Sequence, residues 1–162
     1  MHVFSIVLIL LLIPPLPASQ TLGAAPLPAN QSPWNGEWKL NVQRSLFANV
    51  PIPQHATLII HADENTIVWK TSGVGAGGQP YDYEFAGKLD DKPQVLSGAS
   101  SSTTISFKRE NGTLVGRWKD AHGERVSITT VSSDGMTLTT KNTGSDSEQI
   151  SNWTEVWDKV RK

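Results

Sequence analysis

The chain has 162 residues, a formal net charge of −1 at pH 7 and no cysteine. The absence of cysteine excludes disulfide bonds, thiol chemistry and cysteine-zinc sites, so a stable fold has to depend on packing. Charges of both signs are balanced, and the basic cluster Lys159, Arg161 and Lys162 lies at the terminus, so we expect no nucleic-acid partner. The length suits one domain with its own core.

The first segment is an apolar run, Val3 to Ile13, that stops at Pro14 and is followed by small residues between Ala18 and Ala25. A membrane-spanning helix needs about 20 apolar residues, so this run is too short to remain as an anchor. The layout is typical of a secretory signal peptide, but the Lys or Arg that usually precedes the run is absent. We therefore predict a signal peptide over residues 1–24, no stable membrane span after its removal, and a secreted or periplasmic protein.

The segment that follows, PLPANQSP, is rich in proline and has no periodic apolar pattern. It predicts an extended, disordered leader over residues 25–34. The folded domain is then expected to span residues 35–162.

From Trp38 onward, short segments of alternating polar and apolar residues are separated by turn sequences, and no stretch has a helical period. Asn111-Gly112 and Asp134-Gly135 tolerate the positive φ angles of two-residue hairpin turns. Sequential hairpins favour a barrel over a sandwich, so we predict an all-β fold, a single antiparallel up-and-down β-barrel of about 8 to 10 strands. The segment Val42–Pro51 is the exception and is predicted to hold one helical turn that caps one end.

Alternation along each strand separates an apolar face, expected to point inwards, from a polar face that is expected to be solvated. The apolar face carries Trp38 and Leu40, Ile67 and Trp69, Tyr81, Tyr83 and Phe85, Ile105 and Phe107, Leu114 and Trp118, Val126 and Ile128, Met136 and Leu138, and Trp153 and Trp157. The opposite face carries charged residues such as Lys70, Glu84 and Arg117.

Gly36-Glu37-Trp38 opens the first predicted strand, in the phrase GEWKLNVQRSLF. With SSDGMTLTTKNTGSD and the closing VWDK, this phrase resembles the lipocalin-like (calycin) β-barrels, and in particular a family of exported bacterial proteins of unassigned function. The resemblance covers most of the chain after Asn35 and implies the same barrel. It also implies that a basic side chain, Lys159 or Arg161, packs over the Trp38 ring where Gly36 lets the chain bend. This group is expected to close the barrel and to be structural.

The resemblance does not extend to a carboxylate site. Fatty-acid-binding relatives end with a Thr-Arg-x-Tyr strand that grips a carboxylate, whereas this chain has Thr154-Glu155-Val156-Trp157, so a fatty-acid carboxylate would meet repulsion. If Trp153 and Trp157 face inwards, Glu155 does too, and a buried carboxylate needs a partner or a raised pKa. Glu155 could then receive a cationic or hydrogen-bond-donating ligand. Alternatively, it pairs with a basic neighbour or lies exposed.

A small barrel either fills its interior with side chains or leaves room for one ligand. The candidate ligand-binding residues are Trp69, Tyr83, Phe107, Trp118, Trp153, Glu155 and Trp157. An aromatic stripe is also typical of a filled core, so both possibilities stay open. No metal site or cofactor is expected, because His55 and His61 are about 20 Å apart on an extended strand and His122 lies in a turn.

The sequence has no Gly-x-Ser-x-Gly, His-Glu-x-x-His or phosphate-loop motif, and no nucleophile and base pair can be placed from it, so no catalytic residue is expected. The first hypothesis is an exported, monomeric, lipocalin-like protein that binds a small, largely apolar ligand inside the barrel. The alternative is a protein-interaction or inhibitor barrel that acts through its loops and has a filled core. A third possibility is a small isomerase or hydrolase that uses Glu155 as an acid or base.

Overall fold

The computed structural model describes residues 32–99, 102–146 and 150–161 of the chain. The predicted signal peptide over 1–24 and most of the predicted leader lie outside the described residues. Within the described ranges, no helix has the length and apolar character that crossing a membrane requires.

The described residues form ten antiparallel strands. They are β1 (Gly36–Leu40), β2 (His55–Ala62), β3 (Thr66–Val74), β4 (Pro80–Lys88), β5 (Gln94–Val95), β6 (Thr104–Glu110), β7 (Thr113–Lys119), β8 (Gly123–Val131), β9 (Thr137–Asp146) and β10 (Ile150–Lys159). The order in the sheet is β4-β3-β2-β1-β10-β9-β8-β7-β6-β5, so consecutive strands are neighbours except at β4 and β5, and β1 pairs with β10. The sheet is therefore a nearly closed up-and-down barrel, which confirms the predicted fold class.

The seam between β4 and β5 is closed by isolated contacts. Glu84 and Ser97 exchange two backbone hydrogen bonds of 3.1 and 3.0 Å. Further along the seam, the N–H of Asp91 donates to the Phe107 carbonyl at 3.0 Å. The Asp91 carboxylate also accepts a hydrogen bond from Ser106 Oγ at 2.9 Å. No continuous ladder joins these two strands in the part of the chain that the structure describes.

Turn chemistry decides how the hairpins close. Asn111 and Gly112, between β6 and β7, have φ angles of 48° and 76°, which confirms the predicted turn. Between β8 and β9 only Gly135 has a positive φ, of 69°. There the N–H of Ser132 donates to the Thr137 carbonyl at 2.8 Å, so the loop is longer than the predicted two-residue turn.

The segment after β1 contains a single turn, in which the N–H of Ser45 donates to the Asn41 carbonyl at 3.1 Å. The turn does not continue as a helix, because Leu46 then exchanges two backbone hydrogen bonds of 2.8 Å with Thr154 on β10. The side chain of Phe47 is buried in the core. The segment is therefore fixed to the barrel wall through β10 and Phe47.

Two deeply buried tryptophans fill the end of the barrel at which β1 begins. Trp34 and Trp38 are 1% and 0% exposed. The other large, almost fully buried side chains are Ile60, Ile67, Leu96, Ile105, Leu114 and Leu138. Because Ser32 and Trp34 are buried, the fold begins before residue 35, the boundary that the sequence analysis assigned from proline content.

The inward face of β8 differs from the prediction. Ser127 and Thr129 are buried inside the barrel, whereas Ile128 is 44% exposed. By alternation, Val126 and Ile128 both point outwards. The prediction was wrong because it assigned the aliphatic residues to the interior, while the interior beside β8 and β9 is polar.

Candidate functional site

The barrel contains an open cavity of about 670 Å³ at the end away from the buried tryptophans. We call this open end of the barrel its mouth. The cavity lies between the ends of β3, β4, β7, β8, β9 and β10 that are nearest the mouth, and Pro53 from the β1–β2 connection contributes to its wall. The side chains that matter most for its chemistry are Trp69, Tyr81, Tyr83, Trp118, Arg125, Glu155 and Trp157. The interior is therefore partly empty and accessible.

The structure brings most of the predicted ligand-binding residues to this cavity. Its walls include Trp69, Tyr83, Trp118, Glu155 and Trp157. Two predicted residues lie elsewhere. Phe107 lines a smaller, deeper cavity of about 50 Å³. Trp153 also points inwards but lines neither cavity; its ring packs over Gly144, where an added Cβ would be 3.3 Å away.

Ring contacts hold the aromatic walls in place. Trp69 packs edge-on against Trp118, with centroids 5.2 Å apart at an angle of 78°. Tyr81 and Tyr83 are stacked at 5.4 Å, on adjacent inward positions of β4. Gly73 opposite Tyr81 makes this possible, because a Cβ there would lie 2.8 Å from the Tyr81 hydroxyl. Such offset and edge contacts stabilise aromatic pairs beyond their buried area.

Arg125 on β8 is the main site residue that the sequence analysis missed. Its guanidinium carbon lies 3.8 Å from the centroid of the Trp118 ring and 5.8 Å from that of Trp153. The residue borders the cavity, but its Nε is shielded from solvent and has no hydrogen-bond partner. Burial lowers the pKa of Arg125, whereas the carboxylates of Glu155 and Asp120 act in the opposite direction.

The pairing of β7 with β8 contains the signal that would have found Arg125. Trp118 is the cross-strand partner of Arg125, and directly opposed residues on antiparallel strands share a face. Since Trp118 was expected inside, Arg125 had to point inside as well. The strand-by-strand alternation did not use this relation between neighbouring strands.

Glu155 lies on β10 between the inward residues Trp153 and Trp157. Its Oε1 accepts a hydrogen bond of 3.0 Å from the indole N–H of Trp153. Burial raises the pKa of the Tyr81 hydroxyl, and the charges of Glu155 and Tyr83 raise it further, while a hydrogen bond with Thr71 lowers it. The charge of Glu155 therefore influences the protonation of Tyr81 across the cavity.

A smaller chamber with a polar wall on β8 and β9 lies beneath the open cavity. Its volume is about 50 Å³, and its polar wall consists of Ser127, Thr129, Thr140 and Asn142. Two of these side chains, Thr129 and Thr140, are hydrogen-bonded through their hydroxyls at 3.0 Å. The side chains that border both spaces are Trp69, Trp118, Arg125, Glu155 and Trp157. These five residues form a partition between the open cavity and the inner chamber.

The residues expected to close the barrel lie at the opposite end. Lys159 Nζ is 4.8 Å from the Trp38 ring centroid, whereas Arg161 is exposed beyond β10. The Trp38 indole N–H donates to the Trp34 carbonyl at 2.9 Å. Arg109 covers Trp34, with its guanidinium carbon 5.0 Å from the ring centroid. We call the group Trp34, Trp38, Arg109 and Lys159 the plug, because it closes this end of the barrel. Its second tryptophan, Trp34, and its second cation, Arg109, were not predicted.

Histidine and carboxylate side chains do not converge in the described parts of the chain. Those ranges contain no group of three or more potential metal ligands. His55 and His61 are exposed on β2, and His122 is exposed at the cavity rim.

No protein-family model and no curated protein sequence matches this chain. Solved structures do match. The wild-type fluorescent protein UnaG has a TM-score of 0.54 at 15% identity, and the match covers 78% of this chain and 97% of that one. Zebrafish ileal bile acid-binding protein complexed with cholic acid has a TM-score of 0.54 at 14% identity, with 80% and 100% covered.

A third match is fatty-acid-binding protein 1 of Echinococcus granulosus. Its TM-score is 0.50 at 16% identity, and the match covers 80% of this chain and 98% of that one. Identities this low show the fold alone. By that fold, the chain is a ten-strand, nearly closed up-and-down β-barrel similar to the barrels of these three proteins.

Proposed function

We propose that this protein is an exported, monomeric binding protein that holds a small, largely apolar ligand inside its barrel. The observation that carries the proposal is the open cavity of about 670 Å³ with aromatic walls and an unpartnered polar atom, Arg125 Nε. Ligand pockets typically measure about 300–1,000 Å³ and combine apolar walls with a few polar groups that orient the ligand. The cavity has both properties.

The cavity also argues against the alternative of a loop-acting barrel with a filled core. Trp69 and Trp118 pack against one another at its floor, yet the space above them stays open between β4 and β10. Packed interiors contain few voids larger than a water molecule, so a cavity of this size is not expected in a barrel whose core is filled. Catalysis is less well supported, because the sequence has no catalytic motif.

Two of the structural neighbours support the same class of function by their own properties. One is a bile acid-binding protein complexed with cholic acid, and another is a fatty-acid-binding protein. In this chain, ligand binding is supported by the aromatic walls and the unpartnered Arg125 Nε of its own cavity. Export rests on the apolar run Val3–Ile13, and with it we propose a secreted or periplasmic location and a bacterial origin.

The test compares two neighbouring residues of β10 that lie on opposite faces. Ser151 lines the cavity, whereas Asn152 is exposed outside. We expect the wild-type protein to bind Nile red with increased, blue-shifted fluorescence. We expect Ser151→Trp to weaken binding about tenfold or more, because the indole would occupy space in the cavity that the dye needs. The control Asn152→Trp should bind within about twofold of wild type.

Circular dichroism confirms that both variants are folded before their affinities are compared. The proposal fails if the wild-type protein does not bind the dye, or if Ser151→Trp binds it as well as Asn152→Trp does.

A further inference from the structure

Arg125 and Glu155 bring opposite charges into the same cavity without forming an ion pair. Both border the open cavity and the inner chamber. The ion pairs found within 4.0 Å among the described residues include neither of them. Arg125 instead stacks on Trp118, and Glu155 is held by the indole N–H of Trp153. Each charge therefore keeps hydrogen-bonding capacity for a third group.

The donor side of this arrangement consists of Arg125 and Trp157. Arg125 Nε and Trp157 Nε1 are buried and have no hydrogen-bond partner. Guanidinium and indole N–H groups can only donate, so nothing but an acceptor can satisfy them. Buried polar groups in folded proteins are nearly always paired, which points to an acceptor atom on whatever occupies the cavity.

The acceptor side is Glu155. Its Oε1 is occupied by Trp153, and its second oxygen receives no hydrogen bond from the residues that the structure describes. An ionised carboxylate is acceptor-only and is poorly satisfied by one neutral donor. A ligand that reaches Arg125 also approaches this oxygen, because both residues belong to the same partition.

We propose, building on the binding function above, that the cavity selects a neutral, dipolar ligand. The ligand carries a hydrogen-bond acceptor for Arg125 and Trp157 and a donor for Glu155. Glu155 is the residue that rejects simple carboxylates, because a second negative charge held beside it in the cavity would be repelled. Arg125 rejects simple cations for the same reason.

The experiment uses three probes with the same twelve-carbon tail and different head groups: laurate, lauramide and dodecylammonium. Lauramide is neutral and has both a donor and an acceptor. Affinities are measured by displacement of Nile red at pH 7. We expect wild type to bind lauramide about tenfold or more tightly than either charged probe, because a site built for a donor and an acceptor discriminates against groups that lack one of them.

Variants that remove one charge show which residue rejects each charged probe. Glu155→Gln should strengthen laurate binding about tenfold relative to lauramide, and Arg125→Gln should do the same for dodecylammonium. The matched control is Glu124→Gln, which removes a carboxylate that borders the cavity but is exposed and paired with Lys119 at 2.7 Å. This control should keep the wild-type order of the three probes.

Two results would overturn the selectivity while leaving the binding function intact. One is wild-type protein that binds laurate or dodecylammonium best, and the other is Glu155→Gln with an unchanged ratio of laurate to lauramide. If Arg125→Gln does not fold, wild type and Glu155→Gln still decide the outcome. If neither Nile red nor any of the three probes binds wild type, the proposed function fails and the selectivity with it.

Discussion

Gly36 has a φ angle of 141°, in a region that side chains rarely adopt. An added Cβ would lie 2.9 Å from Cε of Lys159, the residue whose ammonium covers the Trp38 ring. One glycine therefore allows the bend into β1 and leaves room for the cation above the indole. At residue scale, the plug depends on backbone conformation as much as on contacts.

We expect Gly36→Ala to lower the free energy of unfolding by about 1–3 kcal/mol, from backbone strain and displacement of Lys159. The measurement is urea denaturation followed by tryptophan fluorescence. The control is Gly77→Ala, where an added Cβ meets no atom within 4 Å and φ is not positive, so the change should stay within about 0.5 kcal/mol. Equal stability of the two variants would contradict this account of the bend.

At the scale of elements, the connections at the plug end are organised by aspartates. In the β2–β3 turn, Asp63 accepts hydrogen bonds from the N–H groups of Asn65 and Thr66 at 2.8 and 2.7 Å. In the β8–β9 loop, Asp134 accepts from Ser132 Oγ and from the N–H of Met136. Hydrogen bonds to a carboxylate favour its ionised form and therefore lower its pKa.

The pH dependence of stability follows from these two carboxylates. The pKa of Asp63 is lowered mainly by the Asn65 N–H, and that of Asp134 mainly by the Ser132 hydroxyl. A lowered pKa contributes stability above the unfolded value of about 3.9, and this contribution disappears as the pH falls through the folded value. We expect Asp63→Asn/Asp134→Asn to lose less stability than wild type as the pH is lowered from about 5 to 2.

Thermal unfolding between these pH values measures the slope, and Glu64→Gln in the same β2–β3 turn controls for loss of one negative charge. If the double variant and wild type lose stability in parallel, the turn carboxylates do not control the acid response.

For the whole molecule, pairing of the first and last strands brings both ends of the barrel sequence together. Trp38 pairs with Lys159, and the N–H of Val160 donates to the Glu37 carbonyl at 2.9 Å. The only break in the ladder among the described residues is the seam between β4 and β5. Closure of the cylinder therefore depends on long-range pairing between β1 and β10.

A circular permutant tests this closure. It joins residue 161 to residue 32 by a short glycine linker and opens the chain between Asn111 and Gly112, where the turn is exposed. We expect a β-sheet circular dichroism spectrum and a Tm within about 10 °C of wild type, because exposed turns tolerate new termini.

Opening the chain between Ser45 and Leu46 instead should lower the Tm much further, because Leu46 pairs with Thr154 and Phe47 is buried. The closure model fails if the permutant opened at Asn111 is unfolded, or if the two permutants are equally stable.

Patterns among neighbouring residues in the sequence were sufficient to predict most of the fold. The period of two from Trp38 onward and the Asn111-Gly112 turn predicted strands, antiparallel hairpins and a barrel, because alternation and positive φ are properties of neighbouring residues. The same alternation predicted the inward orientation of Trp69 and Trp118 at the cavity. The resemblance carried by Gly36 and Trp38 contributed the barrel type.

The remaining features depend on contacts between residues far apart in the sequence. Arg125 faces the cavity because β8 pairs with β7 in the register that opposes it to Trp118, which alternation within β8 could not reveal. Trp34 belongs to the plug because Arg109 and Trp38 surround it, although its proline-rich neighbours look like a leader. The sequence by itself determined the strands and the class of fold, since these follow from local backbone preferences. Only the tertiary structure decided which polar groups enter the barrel, because cross-strand register sets that choice.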